Sequence, residues 1–162
     1  MKTQPAPAFD PDCPFCGPEK DAAVFYESDG FLALYNIAPV LPGHVLVIPR
    51  AHHTSLLALT PEAFGVFFST ARTVLAIVLK AFDTDAFDWS IQEKPEAGQT
   101  LPHLHLHIVP RRRNDLPEAG DWYPLVHRND SDIIDSRLRP HLSNSDLSLI
   151  VGKLRDIARQ MD

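Results

Sequence analysis

The run Pro102-His-Leu-His-Leu-His-Ile-Val-Pro110 constrains this chain more than any other stretch of its 162 residues. Imidazole and aliphatic side chains alternate, and a repeat of two is the repeat of a β-strand. As a strand over Leu104–Val109, the segment turns Leu104, Leu106 and Ile108 toward a core and places His103, His105 and His107 together on the opposite face. A solvent-facing strand surface is the plain alternative. Three imidazoles in register repel one another when protonated and need partners when buried. The pattern therefore points to a ligand or a reaction.

The segments around it supply a frame. Val24–Glu27 and Phe31–Tyr35 flank Ser28-Asp29-Gly30 and read as a hairpin. Pro39–Gly43 makes a tight connection into a buried strand, Val45–Pro49. Thr60-Pro61-Glu62 reads as a helix start, and apolar residues from Phe64 to Leu79 recur at helical spacing to about Ala81. Phe87–Gln92 is a further strand, and Lys94–Gln99 a loop. Ser145-Asp146 reads as the cap of a last helix, with Leu147, Ile150, Val151, Leu154, Ile157 and Ala158 as its apolar stripe. Residues 110–140 give no clear pattern. Three strands, a helix, two strands and a helix, joined by short links, predict one α+β domain: a mostly antiparallel five-stranded sheet packed by a long helix and a C-terminal helix. Residues 1–12 are expected to be flexible, and 114–162 to form an extension ending in the helix.

The formal charge of −6 argues against binding along a nucleic-acid backbone. It leaves room for a nucleotide, which needs only a few local donors. No run of 18 apolar residues suggests a membrane span, and the first residues lack the apolar core of a signal peptide. Two cysteines three apart are no secreted disulfide framework, so a cytoplasmic location with reduced thiols is expected.

Two chemistries fit the three histidines. They can ligate a metal, although a third ligand at the same strand spacing strains the geometry. Alternatively, one ring attacks phosphorus while its neighbours bind phosphate oxygens. His105, with a helper on either side, is best placed to attack. Cys13-Pro-Phe-Cys16 is a second candidate. The proline-rich tail before it does not suit a redox motif, and as half of a zinc site it needs two more ligands. Free thiols are the other possibility.

His103-Leu-His105-Leu-His107-Ile-Val109, with Gln92, Pro95–Thr100, Asn36 and Pro42-Gly-His44-Val-Leu-Val47, resembles the signature of the histidine triad (HIT) superfamily over about residues 24–113. Within it the chain looks like the fragile histidine triad branch, the dinucleoside triphosphate hydrolases. The resemblance implies that His105 forms a nucleotidyl-histidine intermediate and that water then releases a nucleoside monophosphate. His103, His107 and Gln92 complete the catalytic set, with His107 and Gln92 donating to phosphate oxygens. Gln99 and Thr100 would hold bridging phosphates, Asn36 would bind ribose, and His44 would support the site. Similarity to zinc-carrying members implies a structural zinc on Cys13, Cys16, His52 and His103, a feature that fragile histidine triad proteins generally lack. Magnesium would arrive with the polyphosphate. The resemblance further implies a homodimer. Two related reactions, a phosphorylase and a phosphoramidase, remain alternatives, as does a signalling protein that binds nucleotide and turns it over slowly. Arg111–Arg113 reads as a solvated loop or, less simply, a polyphosphate clamp.

Overall fold

The computed structural model describes residues 9–118, 120 and 139–161. Most of the expected flexible start, and the middle of the extension from Asp121 onward, lie outside the described residues. A 3-10 helix (Pro18–Ala23) leads into β1 (Val24–Ser28) and β2 (Phe31–Tyr35), followed by β3 (Val45–Pro49), α1 (Pro61–Phe82), β4 (Ala86–Ile91), β5 (Leu106–Arg111) and α2 (Asn144–Arg159). The strands form one antiparallel sheet in the order β1-β2-β3-β5-β4. The expected α+β architecture is therefore the observed one.

Local chemistry explains the joints. Asp29 and Gly30 both have positive φ, and Ser28 pairs with Phe31, so the first hairpin closes on a two-residue turn. That geometry favours Asp-Gly, and it extends β1 by one residue beyond the sequence reading. Thr60 accepts the Ala63 N–H, Pro61 occupies the first turn, and Asp83 ends α1 in the left-handed conformation with its N–H on Leu79. The last helix is capped by Ser143, not Ser145. The Ser143 hydroxyl accepts the Asp146 N–H, so Asp146 sits inside the first turn, where an acidic side chain meets the positive end of the helix.

Both helices lie on one side of the sheet. Phe67 of α1 packs on Phe31, and Phe68 stacks on Trp89. Register then places Phe31, Ala33, Val45, Val47, Leu106, Ile108 and Trp89 beneath the helices. By length and composition α1 would pass for a membrane span. Here Phe67, Ala71, Val74, Ile77 and Val78 are instead fully buried in the core. The other side of the sheet carries Leu34, Leu46, His107 and Val109. This is where a cavity opens.

β5 begins two residues later than the alternation suggests. Pro49 has no N–H to offer, so the β3 ladder stops there, and the Pro49 carbonyl accepts a hydrogen bond from the His103 ring. Leu104 N–H donates to His53 beyond the end of β3. His103 and His105 therefore sit on the approach to the strand, and only His107 lies within it. Just before β3, Gly43 turns the chain with φ +92°, and its N–H donates to the Tyr35 hydroxyl at 2.9 Å. A Cβ at that position would lie 2.3 Å from Cγ of Pro110.

Candidate active site

A cavity of about 230 Å³ lies on the helix-free side, lined by His44, His105, His107, Gln92 and a wall of apolar side chains including Phe15 and Leu34. The hydrogen bonds around it assign the tautomer of each ring. Nδ1 of His105 lies 2.6 Å from the His103 carbonyl. A carbonyl only accepts, so Nδ1 carries the proton and the lone pair is left on Nε2. Val40 N–H points at Nδ1 of His44 at 3.2 Å, and Asn36 Nδ2 lies 3.4 Å from the same atom. His44 therefore carries its proton on Nε2, 2.9 Å from Nδ1 of His107. His107 accepts there, which places its own proton on Nε2. One backbone amide thus sets two imidazoles in series and leaves His107 as a donor.

These assignments need neutral rings. Burial lowers the His105 pKa below its ordinary value. Burial, the Arg139 charge and His105 push His44 down to about 3. His107 is lowered well below its usual value by burial and by His105, His44 and Arg139. At pH 7 the site thus presents a lone pair on one ring and an N–H on the next. That pairing suits attack on an electrophile whose oxygens gain charge.

His103 is turned away from this pair. Its Nε2 donates to Pro49 at 2.9 Å, and its Nδ1 lies 3.4 Å from Cys13 Sγ and 3.8 Å from Cys16 Sγ. Cys16 Sγ is 3.3 Å from Nδ1 of His52. The four ligand atoms all lie within 4.8 Å of one another. Two ligands of a tetrahedral zinc, one sulfur and one nitrogen, stand about 3.6 Å apart, so this donor set fits such an ion. Burial holds the Cys13 thiol up at about 11, a cost that a coordinated cation reverses by favouring thiolate. The expectation that His103 flanks His105 as a catalytic helper is corrected on this geometry. Both ring nitrogens of His103 are engaged elsewhere, and its backbone carbonyl is what reaches His105.

Other expected residues divide. Gln92 is buried at the cavity, with its amide on Ser90 Oγ. Thr100 also lines the cavity. Gln99 does not: its side chain ties its own loop, accepting Lys94 N–H and donating to the His103 carbonyl. Asn36 lines the cavity, but its Oδ1 accepts Ala38 N–H while its Nδ2 sits against His44, so it first of all holds a loop and a ring in place. Arg111 is no clamp. It is gripped by Asp88 and Asp115 at 2.6 and 2.8 Å.

Sequence reasoning passed over Phe15 and Arg139. Phe15 lies between the two cysteines and sets its ring edge-on to both His103 and His105. The close spacing of the cysteines was the available signal, since whatever holds both also holds the residues between them. Arg139 lines the cavity from the far side of the unpatterned region, and no local signal marked it.

The HIT domain family matches residues 17–114. The chain is 38% identical over 110 residues to a Schizosaccharomyces pombe protein named bis(5'-nucleosyl)-tetraphosphatase (asymmetrical), covering 68% of this chain and 60% of that one. It is 36% identical over 109 residues to a bis(5'-adenosyl)-triphosphatase of Dictyostelium discoideum, covering 67% of this chain and 73% of the relative. The chain thus spans less than two thirds of the length of the S. pombe relative. Among solved structures, a zinc-bound histidine triad family protein from Mycobacterium smegmatis superposes with a TM-score of 0.65 at 26% identity, covering 93% and 96% of the two chains.

Proposed function

We propose that this chain, which belongs to the HIT domain family, hydrolyses dinucleoside polyphosphates through His105. The observation that carries the reading is the pair of opposite tautomers: a lone pair on Nε2 of His105 beside an N–H on Nε2 of His107. The names of the S. pombe and D. discoideum relatives support the substrate class.

In the first step, Nε2 of His105 attacks the α-phosphorus. An N–P bond forms, the P–O bond to the next phosphate breaks, and the second nucleotide leaves carrying the bridging oxygen. As Nε2 bonds to phosphorus while Nδ1 keeps its proton, the ring becomes an imidazolium, and the His103 carbonyl accepting from Nδ1–H steadies that positive charge. His107 donates to a phosphate oxygen, with His44 behind it fixing the ring. Gln92 and Thr100, which line the same cavity, would supply further phosphate contacts. In the second step, water attacks the same phosphorus, the N–P bond breaks, and a nucleoside monophosphate departs.

A zinc ion on Cys13, Cys16, His52 and His103 would supply cross-linking rather than chemistry. Those residues tie the N-terminal segment to the end of β3 and to the approach of β5, and they orient the carbonyl that serves His105. The zinc-bound M. smegmatis neighbour supports this assignment. Magnesium would enter on the polyphosphate itself. A symmetric homodimer is supported by edge strand β4 and by the exposed apolar Phe64 and Phe87 near it.

Turnover of diadenosine triphosphate in ¹⁸O-labelled water tests the reading. Label should appear in AMP and not in ADP. Label in ADP alone, or no cleavage of either the tri- or the tetraphosphate, would overturn it.

A further inference from the structure

We propose that Glu93 is a positioning residue for this reaction: its carboxylate, fastened to Ser55 and Leu56, holds the preceding residue, Gln92, where its amide meets the phosphate attacked by His105. The proposal deepens the hydrolase reading of the cavity and rests on it.

Gln92 needs such a hold. The pairing of β4 with β5 ends at Ile91 and Leu106, one residue short of it. Two residues further on, Lys94 takes φ +75°, a conformation that side-chain-bearing residues rarely adopt. Gln99 secures Lys94 from the loop side, accepting its N–H at 2.8 Å. Gln92 itself is buried in the cavity wall, and its amide donates to Ser90 Oγ at 3.1 Å. That contact orients the end of the side chain and leaves the backbone at Gln92 to be held by something else.

Glu93 supplies that hold from outside the cavity. Its Oε2 accepts the Ser55 hydroxyl at 2.8 Å, and its Oε1 accepts the Leu56 N–H. Ser55 Oγ also accepts Leu57 N–H and so caps the short 3-10 turn Leu56–Ala58. Two donors on one turn, each on its own carboxylate oxygen, fix the direction of the side chain as well as its reach. The same stretch reaches the attacking ring. The carbonyl of His53, two residues before Ser55, accepts Leu104 N–H, between His103 and His105. Residues 53–56 therefore brace the donor on one strand and the nucleophile on the approach to the next. A donor to developing charge works only when it is aligned in advance, and a small displacement is costly. The work of Glu93 is geometric. A neutral Gln there accepts Leu56 N–H through its carbonyl and donates its amide to Ser55 Oγ.

A double-mutant cycle on diadenosine triphosphate turnover by the full chain tests this. Gln92→Ala should lower kcat by about 10²-fold, as loss of one donor does. Glu93→Ala should lower kcat by about tenfold with KM changed less than about threefold. The double variant should stay at about the 10²-fold loss of Gln92→Ala, whereas independent effects would multiply to about 10³-fold. Glu93→Gln should keep kcat within about threefold of the unaltered protein. Glu93→Asp, one methylene too short for both donors, should lose about threefold. That loss should also vanish in the Gln92→Ala background, and it carries the cycle if Glu93→Ala does not fold. Multiplying effects, an unchanged kcat in Glu93→Ala, or Glu93→Gln as slow as Glu93→Ala would overturn the proposal and leave the hydrolase reading standing. Absence of turnover by the unaltered protein overturns both.

Discussion

Two groups of side chains stand on either side of His105, and they do opposite work with the same residue type. On one side His103 joins Cys13, Cys16 and His52 in a buried cluster with both ring nitrogens committed. On the other, His107 leans on His44 and keeps Nε2–H for the cavity. Identical residues two positions apart acquire different roles because different backbone groups meet them. A proline carbonyl meets His103, and the Val40 amide, acting through His44, meets His107. His105 belongs to both groups, since the His103 carbonyl sets its tautomer and the His107 ring lies 4.8 Å away, edge-on.

A series of substitutions and conditions sharpens the contrast, beginning with the largest effect. His105→Asn should cost on the order of 10⁴-fold or more in kcat for diadenosine triphosphate, with nucleotide binding retained. Turnover that survives this change breaks the scheme at its centre. His107→Ala should lower kcat by about 10²- to 10³-fold, as loss of a donor to developing charge does. His44→Phe acts one ring further out and should cost about 10- to 100-fold. If His44→Phe proved as harmful as removing His105, the relay would be the wrong description.

The cluster side should answer to a different readout. Cys13→Ser with Cys16→Ser should abolish a zinc content of about one ion per chain, measured by emission spectrometry, and lower Tm. Zinc retained by the double variant would detach the cluster from the metal.

Acid should address the relay side through stability. The His44 pKa is about 3 in the folded protein, against an ordinary 6.5, and His107 is lowered as well. The unfolded chain therefore binds more protons between those limits, and stability is lost as pH falls from about 6.5 toward about 3. Tm should drop by several degrees from pH 7 to pH 5. His44→Phe removes one of the responsible groups, so its Tm should fall less over the same interval. Thr60→Ala touches neither side. It should cost only about 1 kcal/mol through the lost cap, or about 2–4 °C in Tm, with zinc content and kcat unchanged.

The parts of the molecule legible in the sequence are those set by local periodicity. Alternation marked β5, helical spacing marked α1, and Asp-Gly marked the first hairpin. What escaped depends on partners distant in the chain. The late start of β5 follows from Pro49 lacking an N–H more than fifty residues earlier. Gln99 looked like a phosphate ligand because it leads toward the histidines, yet its amide closes its own loop against Lys94 and the His103 carbonyl. Ser145 and Ser143 are equally good caps by residue type, and only the backbone shows which one precedes the first turn. Arg139 reaches the cavity because Leu142 is fastened to Ile37, a pairing no periodicity foretells.

The bare backbone at residue 43 has a cost that no inventory of reactive groups would reveal. Pro110 fills the room a methyl would take, so the turn leading into His44 and the strand bearing His107 touch only while nothing is attached there. Alanine at that point would force Pro110 away from the turn before His44 and stretch a 2.9 Å contact toward the limit at which proton sharing fades. An enzyme could thus be silenced with every working side chain still in place.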